Sequence, residues 1–193
     1  LTSALAGGGA GLVQLPALIL LGLPFSMALA THKLASVALG LGAGLRHIKE
    51  RNLKPYFAFF VLGFGLPGVW LGAHLALAIP SELGTTTLGL VTCSLGIYSI
   101  NRPELGTSTQ LLKMNLNHLL IGGLVLFAIG ILNGSFSSGT GLFVTLWLVR
   151  WFGLSYSQSV AYTLIFVGFF WNGIGALVLG LSGEIKWGWL PML

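Results

Sequence analysis

The chain alternates long apolar runs with short polar breaks. Residues 12–23 form the first run, with Gln14 and Pro16 inside it. Helical residues rise about 1.5 Å each, so this run reaches only about 18 Å against a hydrocarbon core of about 30 Å. It reads as half of a broken crossing or one arm of a re-entrant hairpin. Residues 25–45, 57–79 and 83–100 are long enough to cross, and Pro67 predicts a kink in the second of them. Residues 116–132 are just long enough. A polar stretch, 133–141, then interrupts the run, which resumes over 142–152. One straight helix over 116–152 would be about 55 Å long, too long for a bilayer, so a real break is expected there. Residues 157–181 form another span containing Asn172, and 187–193 read as the start of a further one. The fold class predicted is all-α: a polytopic transmembrane helical bundle with broken or re-entrant helices.

Composition agrees. Of 193 residues, 55% are hydrophobic and only 7% charged, and the mean hydropathy is +0.92. A soluble domain carries roughly 25% charged residues. Lipid is the expected solvent, and the lipid bilayer the expected surrounding. The net charge of +5 implies no nucleic acid, because the few basic residues flank apolar runs. Cys93 is the single cysteine, which leaves no intrachain disulfide and no Cys-based metal site. The 29 glycines interrupt the apolar runs, which suggests close helix packing or broken helices.

The two ends of the chain resemble each other. Gly9-Ala10-Gly11-Leu12-Val13 matches Gly139-Thr140-Gly141-Leu142-Phe143, and Gly22-Leu23-Pro24-Phe25-Ser26 matches Gly153-Leu154-Ser155-Tyr156-Ser157. Thr31 approximates Thr163, Gly42 and Gly44 match Gly173 and Gly175, and Leu53-Lys54 pairs with Ile185-Lys186. The order and near-constant spacing indicate duplication. The organisation expected is a first transmembrane repeat over 1–100, a polar connector over 101–115, and a second repeat over 116–193 that is incomplete at its C-terminal end. Duplicated halves that each hold an interrupted segment are the pattern of secondary transporters.

Charge suggests a topology. The loop with Arg46, Lys49, Arg51 and Lys54 is cytoplasmic by the positive-inside rule. Alternation then places Arg102 and Lys113 inside. If the broken segment crosses once, Arg150 falls outside and Lys186 inside, and the two repeats run parallel. Seven basic residues would lie inside and one outside. A re-entrant hairpin would invert the relation.

Three groups could carry chemistry. The glycine-rich breaks around Gly9 and Gly11, and over Ser137, Ser138, Gly139, Thr140 and Gly141, expose backbone N–H groups at a helix start, which favours an anion. Thr31-His32-Lys33 lies within a span, with Lys33 about 12 Å in. A charge there is expensive and usually functional. Glu50, Glu82, Glu104 and Glu184 all fall in loops, so an anionic substrate is the partner expected for Lys33. His32 is the one candidate for proton coupling. Gln14, Asn133, Thr163 and Asn172 are polar within or beside apolar runs and must face protein or a cavity. The alternative for each group is structural: tight packing, a snorkelling lysine, or interhelical hydrogen bonds. The glycines form no Walker loop and Gly-X-Ser-X-Gly is absent, so neither catalysis nor a cofactor is expected.

Over most of its length the chain resembles the TauE/SafE-type permeases, also described as sulfite exporters. The residues that carry the resemblance are Gly7-Gly8-Gly9-Ala10-Gly11 followed by Pro16, Gly22-Leu23-Pro24, Ala30-Thr31-His32-Lys33, and Ser137-Ser138-Gly139-Thr140-Gly141. Ala10 stands where the family prefers Gly and His32 where it usually has Asn. Asn172 matches a polar position in the following helix. The resemblance implies a multi-span prokaryotic inner-membrane permease that exports sulfite or a small organosulfur anion. Members are usually longer, so part of an N-terminal helix and one or more C-terminal spans would lie outside this chain. The reading that follows is a carrier with its anion between the glycine breaks. An anion channel, a membrane enzyme and a non-transporting structural subunit are the rivals.

Overall fold

In the computed structural model, residues 10–50, 53–100 and 115–192 are described. They form α1 (Ala10–Leu20), α2 (Phe25–Glu50), α3 (Pro55–Ala78), α4 (Ser81–Ile100), α5 (Leu116–Phe136), α6 (Thr140–Phe152), α7 (Tyr156–Tyr162) and α8 (Asn172–Leu181). A π-helical segment, Thr163–Trp171, joins α7 to α8 as one continuous rod, and a 3-10 turn covers Trp187–Met192. The chain is an all-α, multi-pass membrane protein. Three helices are long and apolar enough to cross: Pro55–Ala78, Leu116–Phe136 and the rod Tyr156–Leu181. Helices α2 and α4 are as long but more polar, because one carries Thr31-His32-Lys33 and the other Glu82 with Thr85, Thr86 and Thr87.

The ends of the helices follow local chemistry. Pro55 opens α3, where its missing N–H costs nothing. Asn115 caps α5 by accepting from the His118 N–H (3.0 Å), and Ser155 caps α7 by accepting from the Gln158 N–H (3.2 Å). The α3 helix continues through Pro67 without interruption.

The scaffold is the pair α3 and α5, which lie parallel. Gly65 meets Gly130, Gly68 meets Phe127, and Gly72 meets Ile131 and Gly134. At each of these glycines a Cβ would overlap backbone or ring atoms of a neighbour. Close backbone approach of this kind is the main source of attraction between helices in lipid, where apolar burial is not a driving force. An apolar core of Phe57, Val61, Leu126, Val144, Leu148, Phe152, Tyr162 and Trp171 joins this pair to α6 and the rod.

The break after α5 is narrower than the polar stretch suggests. Asn133 and Ser135 remain helical, and only residues 137–139 leave the helix. It is also a reversal rather than an interrupted crossing. Trp147 donates from its indole to the Gly122 carbonyl (3.2 Å), and Trp151 to the His118 carbonyl (3.0 Å). Phe152 meets Phe57 at the start of α3 (5.0 Å). Helix α6 therefore returns along α5 to the end from which α5 began. The rod starts at that same end, where the Lys54 N–H donates to the Tyr162 hydroxyl (2.7 Å). It finishes at the other end, where the Ser26 hydroxyl donates to Glu184 (2.8 Å).

Of the two topologies the sequence leaves open, this is the inverted one. Arg150 lies at the Lys54 end, and Lys186 lies at the opposite end, with its N–H donating to the Thr31 hydroxyl (3.2 Å). Each residue is on the side opposite to the one a single crossing would give it. The relation between the repeats becomes inverted rather than parallel. Helix α1 runs toward the Phe25 end and turns at Gly22 (φ 95°) into α2. Helix α6 runs toward the Lys54 end and turns at Gly153 (φ 67°) into the rod. Both turns need a positive φ, which glycine adopts without strain. Helix α2 and the rod lie antiparallel and touch at Gly40 and Gly168, where a Cβ on Gly40 would lie 2.5 Å from the Gly168 carbonyl carbon.

Candidate functional site

Beside the Gly40–Gly168 crossing is a small, partly enclosed chamber of about 40 Å³ with a polar wall. One water needs roughly 10–15 Å³ on this measure, so the chamber holds a few waters or one small ion. Its polar lining comes from His32 and Ser36 of α2, Asn133 of α5, Ser137 and Thr140 at the reversal, and Thr163 and Asn172 on the rod. No Asp or Glu lines it.

The π segment explains how the rod supplies two of these. Thr163 and Asn172 are nine residues apart. Nine residues are about 2.5 turns of α-helix and would point to opposite faces. The wider i→i+5 coil takes them through only about two turns. Both side chains therefore reach the same chamber.

The reversal is held by a chain of hydrogen bonds. The Lys33 ammonium, fully buried, donates to the Asn133 carbonyl (2.7 Å) and to Asn133 Oδ1 (3.3 Å). Asn133 Nδ2 donates to Thr140 Oγ1 (2.8 Å), and that hydroxyl donates to the Ser137 carbonyl (2.7 Å). Among the described residues Lys33 has no acidic partner. Its charge is met by a carbonyl in the last turn of α5, at the negative end of that helix. Lys33 is therefore one bond behind the chamber wall rather than in it. Gly175 makes room for it: a Cβ there would lie 2.8 Å from Lys33 Cδ.

Several donors face the chamber. The Ser137 hydroxyl makes a long contact to Asn172 Oδ1 (3.5 Å), while Asn172 Nδ2 makes no hydrogen bond among the described residues. In the first turn of α6 the Thr140 N–H donates to the Ser137 carbonyl and the Leu142 and Phe143 N–H groups to the Gly139 carbonyl, which leaves the N–H of Gly141, a lining residue, without a bond among the described residues. Ser137 holds a positive φ of 58°, uncommon for a residue with a side chain. The strain fits a position fixed by function or by the reversal itself. His32 Nδ1 lies 2.7 Å from Gln14 Oε1, and Ser36 Oγ lies 3.4 Å from His32 Nε2. Both contacts are satisfied when Nδ1 carries the ring proton and Nε2 accepts from Ser36.

The structure thus brings together His32, Asn133, Ser137, Thr140, Gly141, Thr163 and Asn172. Gln14 holds His32 from behind. Gly139 forms the left-handed turn (φ 71°). Thr31 is turned elsewhere, donating to the Met27 carbonyl (2.7 Å). Ser138 faces away from the chamber into an apolar groove of about 790 Å³ between α4, α5 and α6. Its hydroxyl meets that of Thr92 (3.2 Å). Gly9 lies outside the described residues, and Gly11 is described only as part of α1. Ser36, Gly40 and Gly168 were not expected. Ser36 carries a readable signal, because it lies one helical turn beyond His32. Among the described residues no group of three His, Cys, Asp or Glu could hold a metal ion.

The comparisons agree with this architecture. A Haemophilus influenzae "probable membrane transporter protein" is 32% identical over 184 residues, covering 95% of this chain and 71% of the relative. The probable membrane transporter protein YdhB of Bacillus subtilis is 27% identical over 161 residues, covering 83% and 66%. The probable membrane transporter protein YfcA of Escherichia coli K12 is 26% identical over 182 residues, covering 93% and 66%. The chain thus spans about two thirds of the length of these relatives. No solved structure matches it. The profile of the sulfite exporter TauE/SafE family matches residues 1–193, and with these relatives it makes the chain a member of that family of membrane transporters.

Proposed function

We propose that this chain forms the core of a secondary transporter that exports sulfite or a small organosulfur anion, with the anion seated in the chamber between α2, the reversal and the rod. The observation that carries the reading is the chamber lining. It presents Asn172 Nδ2, the Ser137 hydroxyl and the Gly141 N–H, with a lysine one bond behind and no carboxylate among the described residues. Donors of this kind are strong in a water-poor interior and recognise an anion without a direct ion pair. Helix α2 of the first repeat (1–100) and the rod of the second (116–193) rock about the Gly40–Gly168 crossing, on the frame of α3 and α5, to expose the chamber to each side in turn. His32 Nε2, released from Ser36, is the position where a proton could travel with the anion.

Flux of sulfite and of small sulfonates into proteoliposomes, with and without a pH gradient, tests this. Wild type should show saturable flux. Lys33→Ala and Asn172→Leu should each lower it at least tenfold while the protein stays folded. Absence of flux for both anion classes in wild type, or unchanged flux in both variants, would overturn the reading.

A further inference from the structure

The inverted halves share more than a fold. Gln14 and Thr145, Gly22 and Gly153, Phe25 and Tyr156, and His32 and Thr163 are each 131 residues apart. Gly22 and Gly153 are the positive-φ turns, and Phe25 and Tyr156 begin the long helices. The remaining two pairs are hydrogen-bonded in the same way. Gln14 on short helix α1 holds His32 on α2 (2.7 Å), and Thr145 on short helix α6 holds Thr163 on the rod (2.8 Å). Each bond spans 18 residues. The Thr145 hydroxyl donates to the Gly141 carbonyl (3.0 Å), so Thr163 is the donor in the second bond. The chemistry of the two pairs differs, but the position is conserved between the repeats.

The two bonds lie toward opposite ends of the molecule. His32 is seven residues into α2 from the Phe25 end, and Thr163 is seven residues into the rod from the Lys54 end. Both side chains line the chamber. Both bonds are formed at once.

We infer that Gln14 and Thr145 are matched positioning residues, each latching the chamber shut toward one face of the membrane. Gln14 closes the Phe25 side through His32. Thr145 closes the Lys54 side through Thr163. The inference rests on the carrier reading above for its purpose, but not for its geometry. Losing one latch tilts the equilibrium toward opening on that side only, so the two losses act in opposite directions.

The test uses the full chain with Cys93→Ser, which removes the native thiol, and Leu39→Cys as a reporter. Leu39 lines the chamber beside the crossing but is 37% exposed, so Val167→Cys, at a lining residue only 3% exposed, is labelled in parallel and its accessibility decides the outcome. A membrane-impermeant cationic thiol reagent is added to either face of oriented proteoliposomes, and sulfite flux is measured in parallel. An interhelical hydrogen bond in a membrane corresponds to about a threefold shift in equilibrium. Gln14→Leu should raise labelling from the Phe25 side about threefold relative to the other, and Thr145→Val should do the reverse. Thr145→Ser, which keeps the hydroxyl, should label as wild type does. If Thr145→Val does not fold, Thr163→Val removes the same bond. Shifts in the same direction, or no shift in folded variants, would overturn the inference. Opposed shifts without sulfite flux in wild type would remove the anion reading and leave the latches standing.

Discussion

Two helix contacts in this molecule use glycine to opposite ends. Along the α3–α5 contact, glycines from both helices alternate over several turns, and the backbones meet as one continuous seam. Where α2 crosses the rod, backbone meets backbone at Gly40 and Gly168. To either side the contact runs through side chains, Ile165 near Gly44 and Lys33 against Gly175, with polar groups around a void. The seam is parallel and without a chamber. The crossing is antiparallel and polar on one side. A seam of backbone against backbone resists sliding and separation along its whole length, whereas a contact made mostly through side chains beside a void leaves room to tilt. On the carrier reading, α3 and α5 are the fixed frame and α2 and the rod the parts that turn on it.

Substitutions can break or sharpen this contrast. Gly72→Leu should have the largest effect, because a side chain there meets the Ile131 carbonyl and forces the seam apart. Overpacking of this kind costs about 3 kcal/mol or more, and loss of folded protein in detergent, followed by thermal unfolding, would show it. Gly40→Ala comes next. It should cost about 1–2 kcal/mol in stability yet suppress anion flux more strongly than that cost implies, because the pivot itself is displaced. Equal damage to stability from both variants, with flux intact in Gly40→Ala, would abolish the distinction. Phe59→Leu marks the lower limit. Phe59 is 74% exposed on the outer face of α3, and its replacement should move the unfolding midpoint by no more than about 0.5 kcal/mol would.

Much of this was legible in the sequence, for identifiable reasons. The long spans follow from apolar run length, and both left-handed turns were marked by Gly22 and Gly153. The duplication could be read because those turns kept their spacing. The direction of α6 could not be read, since a polar gap of nine residues suits a reversal as well as a pause in one crossing. Tertiary contacts decide it: Trp147 and Trp151 reach back to carbonyls near the start of α5. The partner of Lys33 was hidden for a related reason. An anion was expected where no carboxylate was in reach, but a helix end supplies the negative pole through a backbone oxygen, and every residue has one. Thr31 was grouped with its neighbours by adjacency, yet successive helical residues point about 100° apart, and its hydroxyl went to Met27 instead.

The π segment has a consequence for reading relatives. Its residues, Thr163 to Trp171, are uniformly apolar apart from the first and give no sign of their looser winding. A homologue could keep both Thr163 and Asn172 yet be one residue shorter between them. Wound as an ordinary α-helix, eight residues turn through about 800°, which leaves the two side chains within about 80° of each other and still able to share a chamber. Nine residues wound that way would set them on opposite faces. A single gap inside this apolar helix would therefore mark a change of winding that keeps the pair together, not the loss of one of its members.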